Sequence, residues 1–67
     1  MMHRIERIIN CTSMQPIIVY GDTDEGTIKT CRGILSKSDE SMIIIAYRGN
    51  TEIFRDKSET KERSEQT

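Results

Sequence analysis

The side chains best suited to chemistry in this chain are few and lie far apart in the sequence. There is one histidine, His3, and there are two cysteines, Cys11 and Cys31. Nucleophilic catalysis needs a nucleophile and a base within hydrogen-bond reach. No GxSxG, HExxH or phosphate-binding loop motif brings such residues together. His3 has no partner nearby in sequence, so we expect it to be exposed, and the sequence predicts a protein that is not an enzyme.

A second group with chemical potential is the acidic trio Asp22, Asp24 and Glu25. Oxygen ligands suit calcium or magnesium, but the rest of a loop motif is missing, so a solvated turn is expected. The cysteines have neither CxxC nor Cys/His zinc spacing. We therefore predict no metal and no cofactor. Two reduced, packed thiols indicate a cytoplasmic protein, with a Cys11–Cys31 disulfide or a reactive cysteine as the alternative.

The length and charge of the chain limit both its stability and its partners. A domain of 67 residues buries only roughly 60% of its unfolded surface, so we expect homo-oligomerisation. Ten basic and eleven acidic side chains give a net charge of −1, which offers no strong attraction to phosphate. No apolar run is long enough for a membrane span, so no membrane partner is predicted. A ring of subunits could still concentrate Arg4, Arg7, Arg32, Arg48 and Arg55 at one rim or pore.

Hydrophobic periodicity predicts one helix followed by strands. Ile5, Ile8 and Ile9 stand at i, i+3 and i+4, which favours a helix over residues 2–12. β-Branched and aromatic residues predict the strands that follow. These strands span about residues 16–21, 27–36, 41–48 and 51–55.

The end of the chain has a different composition. Residues 56–67 contain no apolar side chain, so they cannot repay their ordering entropy and are predicted to be a disordered polar tail. Residues 1–55 then form one domain, and few closed β folds fit that length. The predicted fold is mainly β, an N-terminal helix followed by a small, strongly bent SH3-like barrel.

The segment Gly33–Ile45 is the most informative part of this pattern. It is expected to join a bent strand, a polar turn capped by Asp39, and the apolar run Met42–Ile45. A strand that is apolar on both faces needs a closed barrel or a neighbouring subunit to cover it.

The spacing of this segment resembles the Sm-like superfamily, most closely the Hfq family of bacterial RNA chaperones. The residues that match the signature are Gly26, Gly33, Leu35, Asp39 and Met42. The resemblance covers about residues 3–56. It implies an Sm-like barrel that assembles into a ring, with six subunits favoured.

The resemblance also implies a function in RNA binding. A ring-forming single-stranded RNA-binding protein, acting as an RNA chaperone or post-transcriptional regulator, would stack bases on Tyr20. The remaining RNA-binding residues implied are basic side chains contacting phosphate. They are Lys29, Arg32 and Arg55, with Arg4 and Arg7 at the rim.

A second function stays open from the same residues. Ser41, Arg55 and Asp56 stand where Hfq proteins carry the aromatic, basic and histidine residues of a uridine pocket. The alternative is therefore a protein–protein interaction or regulatory module of the same fold that binds no nucleic acid and uses an open strand edge.

Overall fold

The computed structural model describes residues 2–58 and contains five strands and one helix. In chain order, the elements are β1 (Met2–Ile9), β2 (Thr12–Ser13), β3 (Ile17–Tyr20), α1 (Asp24–Ser36), β4 (Met42–Arg48) and β5 (Thr51–Ser58). The predicted strands at 16–21, 41–48 and 51–55 are confirmed with shifted ends. β5 runs three residues into the predicted tail, and residues 59–67 lie outside the described part of the chain.

The strands form one open antiparallel sheet. Its order is β2-β1-β4-β5, and β3 pairs with the same edge of β1 as β2 does. The helix packs on one face of this sheet, mainly against β4 and β5. The prediction of an SH3-like, Sm-like barrel behind an N-terminal helix is therefore wrong, although the fold is mainly β. The predicted second strand is a helix, which removes a strand that a closed barrel requires.

The predicted N-terminal helix is the central strand of the sheet. In β1, His3 and Ile5 are fully buried while Arg4 and Glu6 are partly exposed, which is the period-two pattern of a strand. Ile5, Ile8 and Ile9 have helical spacing, but isoleucine is β-branched and favours strands, so three of them in eight residues do not distinguish the two structures. Pairing with β3 on one side and β4 on the other decides the outcome. The turn after β1 has positive φ at both Asn10 and Cys11, as in a type I′ hairpin.

The segment predicted as a bent second strand forms α1. Thr23 is its N-cap, its hydroxyl accepting from the Gly26 backbone N–H at 3.0 Å, and Asp24 and Glu25 occupy the first turn. This arrangement satisfies free N–H groups and favours the helix dipole. Thr27 and Cys31, at i and i+4, are the buried residues of the helix.

The residues that suggested the Sm-like signature therefore do not form a bent strand and turn. Gly26, Gly33 and Leu35 lie in α1, Asp39 lies in the loop that follows, and Met42 begins β4. In that loop the hydroxyl of Ser38 makes the hydrogen bonds, to the backbone of Glu40, in the capping role predicted for Asp39. A Cβ on Gly26 would lie 2.1 Å from Oδ1 of Asp22, so the glycine allows the loop to pack against the helix.

The core lies between the helix and the sheet. Ile5 and Ile44 are fully buried there, together with Cys31 and Ala46, and Met42 closes one end. On β5, Phe54 packs against this cluster, and a bulge that leaves Ile53 unpaired shifts the register beside it. The two buried helix residues, Thr27 and Cys31, are small, and Ile34 and Leu35 pack partly buried against the cluster, so β1 and β4 provide most of the fully buried apolar volume.

Truncating the core side chain of β4 tests this assignment. Ile44→Ala should lower the free energy of unfolding by about 2 to 5 kcal/mol, because it leaves a cavity at a fully buried position. Ile43→Ala is the matched control on the other face of the same strand and should cost about 1 kcal/mol or less. Urea denaturation measures both values, and equal losses would contradict the assignment of faces.

Candidate interaction surface

The face of the sheet opposite the helix has no element packed on it within residues 2–58. Residues directly opposite each other in an antiparallel pair share a face, so the strand register assigns this surface row by row. We call it the open face. From one end to the other, its rows are Tyr20–Met2, Ile18–Arg4–Tyr47–Glu52, Glu6–Ile45–Arg55 and Ile8–Ile43–Lys57.

The open face concentrates the exposed apolar side chains of the domain. Of the five large hydrophobic side chains that are exposed in the described residues, four lie on it. Tyr20 is 76% exposed, and Met2, Ile18 and Ile43 are 47%, 41% and 37% exposed. Met2, Ile18 and Tyr20 lie together at one corner and Ile43 lies at the opposite end of the face. Single exposed apolar residues are common on protein surfaces, whereas adjoining ones such as the first three are typical of binding surfaces.

Charged side chains on the open face are held in pairs. Arg4 Nε lies 3.1 Å from Oε2 of Glu6, and the Arg4 guanidinium stacks 4.6 Å above the Tyr47 ring. Arg55 donates to both carboxylate oxygens of Glu52, at 3.1 and 3.0 Å. Those hydrogen bonds lower the pKa of Glu52 and raise the pKa of Arg55. The face therefore presents aromatic and aliphatic groups around two arginine–glutamate pairs, and Lys57 in its last row adds one positive charge.

The structure brings together only some of the residues predicted to bind RNA. Tyr20, Arg4 and Arg55 share the open face. Lys29 and Arg32 lie on α1, on the other side of the sheet, and the Arg32 guanidinium is 5.7 Å from the centre of the Phe54 ring.

Arg7 has a structural contact instead of a position on the open face. Its Nη2 donates to the backbone carbonyl of Gln15 at 3.2 Å, where the chain passes from β2 to β3. This contact supports the irregular edge of the sheet.

A polar cluster of His3, Asp24 and Arg48 joins the helix to the sheet. His3 and Arg48 are opposite each other on β1 and β4, and Asp24 begins α1. Nε2 of His3 donates to Oδ1 of Asp24 at 2.8 Å, and Arg48 donates to Oδ2. A carboxylate can only accept, so the imidazole hydrogen in this bond is on Nε2. The expectation that His3 is exposed is wrong, because this partner allows it to be fully buried.

The cluster changes the titration of Asp24. The hydrogen bond from His3 and the positive charge of Arg48 lower the pKa of Asp24, and they outweigh the effect of partial burial, which acts in the opposite direction. Since His3 is fully buried, its imidazole is not accessible to a substrate. The cluster therefore fixes the start of the helix against the two central strands.

The other predicted chemical groups have simple environments. Both cysteines are free, with Cys11 exposed in its turn and Cys31 buried, and burial raises the pKa of the Cys31 thiol. No set of three His, Cys, Asp or Glu side chains within residues 2–58 is placed to hold a metal ion. In the same residues, no helix has the length and apolarity needed to cross a membrane.

Sequence inspection missed Ile18, Tyr47 and Ile43 as surface residues. Both strands are apolar at nearly every position, so no polar–apolar alternation in the sequence marks which face is exposed. A strand of this composition is compatible with burial on both faces, which is what the predicted barrel assumed.

Acid titration of folding stability tests the cluster. Because the folded pKa of Asp24 is below its unfolded value, its contribution is present at neutral pH and is lost as pH falls below about 4. Asp24→Asn should be less stable at pH 7 and should show a smaller further loss between pH 5 and pH 3. Glu25→Gln, the neighbouring control, removes only a first-turn charge that favours the helix dipole, so it should lower thermal stability less than Asp24→Asn and keep the acid dependence of the natural chain. An unchanged acid profile in Asp24→Asn would contradict the assignment.

Comparison with models of protein families, with curated proteins and with solved structures finds no match for this chain. The function must therefore be argued from the open face and its surroundings.

Proposed function

We propose that this chain is a small, non-catalytic protein-interaction domain that binds its partner through the open face. The observation that carries the proposal is the clustering of Met2, Ile18, Tyr20 and Ile43 on a face that the helix leaves uncovered. Each exposed apolar side chain gains free energy when a partner removes it from water. Tyrosine is enriched at the centres of protein interfaces because it combines a large ring with a polar end.

The balance of charge favours a protein over a nucleic acid as the partner. Arg4 and Arg55 each have a carboxylate neighbour on the open face, Glu6 and Glu52. A phosphate would have to compete with these carboxylates and would be repelled by them. The near-neutral net charge of −1 adds no long-range attraction for a polyanion.

Single-stranded RNA binding is the second candidate function, supported by one specific feature. Tyr20 presents a ring that is 76% exposed, and Arg4 already stacks on Tyr47 in the next row. Rings and guanidinium planes of this kind stack with unpaired bases without requiring a particular sequence. Of the six basic or aromatic residues predicted for RNA, Tyr20, Arg4 and Arg55 would take part in this mode.

Site-specific photocrosslinking tests the protein-binding proposal. Tyr20→p-benzoylphenylalanine, which keeps an aromatic ring at the position, should give one adduct of defined mass on irradiation of the cells that make the protein. Lys29→p-benzoylphenylalanine is the control on the exposed side of α1 and should give none. No adduct from position 20, or the same adducts from both positions, would contradict the proposal.

Oligonucleotide binding tests the second candidate. If it is correct, oligo(A) or oligo(U) should raise fluorescence anisotropy at low salt, and Tyr20→Ala should weaken binding roughly 5- to 150-fold, the loss of one stacked base. Lys29→Ala should have little effect, since it is remote from the open face. Binding that is absent at low salt, or that survives Tyr20→Ala unchanged, would exclude this mode.

A further inference from the structure

We propose that the partner of the open face is a second copy of this chain, with Tyr20 of each copy inserted into a cleft of the other. The inference rests on the proposed use of the open face as a protein interface. It adds the identity of the partner and the central contact.

The projecting element of this contact is Tyr20. It is the last residue of β3, at the corner where the outermost strand and the Tyr20–Met2 row meet, and it is the most exposed of the large hydrophobic side chains described. Its neighbour along the strand on the same face, Ile18, is also exposed. A large apolar ring at a corner costs solvation free energy unless something covers it.

The receiving element lies at the diagonally opposite corner. A cleft of about 420 Å³ is formed there by Ile8 and Ile43 of the last row, together with Met42 and the turn residue Cys11. Its polar lining is formed by Asn10, Ser41, Lys57 and Ser58. An apolar floor with a polar rim suits a tyrosine, whose ring would fill the cleft while its phenol reaches the rim.

The positions of these two corners fit a two-fold arrangement. A symmetric interface requires a surface that is complementary to itself. Consider a two-fold axis that lies in the plane of the interface, perpendicular to the line joining the two corners and midway between them. It places the Tyr20 corner of each copy against the cleft of the other, so both tyrosines are accommodated at once. The two sheets then cross at a steep angle, as in orthogonal sheet packing.

Charge on the open face is compatible with a second copy. Arg4 and Arg55 are matched by Glu6 and Glu52, and Lys57 leaves each face with one positive charge in excess, so two copies can approach without a large excess of one sign. Symmetric pairing through the exposed edge of β5 is less favourable. Centring the pairs on Phe54 sets Glu52 opposite Asp56, and centring them on Arg55 sets that residue opposite its own copy.

The small core supplies a reason for the chain to associate. Among the described residues, only Ile5, Ile44 and Ala46 from the sheet and Cys31 from the helix are hydrophobic and fully buried. Domains of this length commonly need a further source of stability. Covering the open face would give the sheet an apolar layer on each side.

The size of the face sets the expected strength. Four strands about 4.8 Å apart and seven residues of about 3.3 Å each give a face of roughly 19 by 23 Å. Two such faces are at the small end of specific interfaces, so a dissociation constant in the micromolar range is expected, on the order of 1 to 100 µM.

Sedimentation velocity on the purified full-length chain, over concentrations from about 1 µM to about 1 mM, tests the association. The natural chain should pass from monomer to dimer and stop there. Tyr20→Ala and Ile18→Lys should each weaken the dimer at least tenfold, while Lys29→Ala and Thr30→Lys, on the exposed side of α1, should not. Circular dichroism checks that each variant is folded. If Ile18→Lys is unfolded, Tyr20→Ala alone tests the association.

Crosslinking of the purified Tyr20→p-benzoylphenylalanine variant tests the contact itself. The adduct should have twice the mass of the chain, and the linked peptide should contain residues 8–11 or 41–43. A chain that stays monomeric, forms larger assemblies, or links elsewhere overturns the inference. If the chain is monomeric while the same variant captures one different protein in cells, the second-copy inference fails and the proposed function stands. If position 20 gives no adduct in either setting, both fail.

Discussion

A single helix can cover only one face of a sheet, and the rest of this structure depends on that constraint. Helix α1 packs on the side of Ile5 and Ile44 and forms the core there. The other side of the same strands is left with exposed Tyr20, Ile18 and Ile43. A two-layer domain of this length has no further element within its described residues to form a third layer. The division between the core and the exposed open face therefore follows from the number of helices.

The polar cluster at the start of α1 determines which face the helix covers at that end. His3 and Arg48 point to the helix side of β1 and β4, and both bind the Asp24 carboxylate. The Asp24 carboxylate satisfies Nε2 of the buried His3, whereas Nδ1 has no hydrogen-bond partner within the described residues, so the bond to Asp24 is the contact that offsets the cost of burying the imidazole. It sets the beginning of the helix above the β1–β4 pair, while Thr27 and Cys31 allow close approach along the next turns.

The open face carries both apolar side chains and paired charged side chains. Its apolar residues favour association, whereas the pairs Arg4–Glu6 and Arg55–Glu52 and the side chain of Lys57 keep it hydrated with little net charge. An arginine side chain that stacks on an aromatic ring also shields the ring from water, as Arg4 does over Tyr47. Ile45, in the middle of the face, is almost buried without any covering element. A surface of this kind can remain in solution and still gain free energy when a partner covers it.

The sequence by itself predicted the mainly β composition and the strands at about 16–21, 41–48 and 51–55, because β-branched runs bounded by turn residues have few alternatives. It placed residues 56–58 in a tail, whereas pairing with β4 extends the last strand to Ser58. Tertiary structure decided the identity of two of the three remaining elements, β1 and α1. Ile5, Ile8 and Ile9 fit a helix or a strand, and pairing with β4 selected the strand. The segment 24–36 became helical through the Thr23 cap and packing of Cys31. Long-range contacts, including the burial of His3 beside Asp24, outweigh local propensity in such short segments.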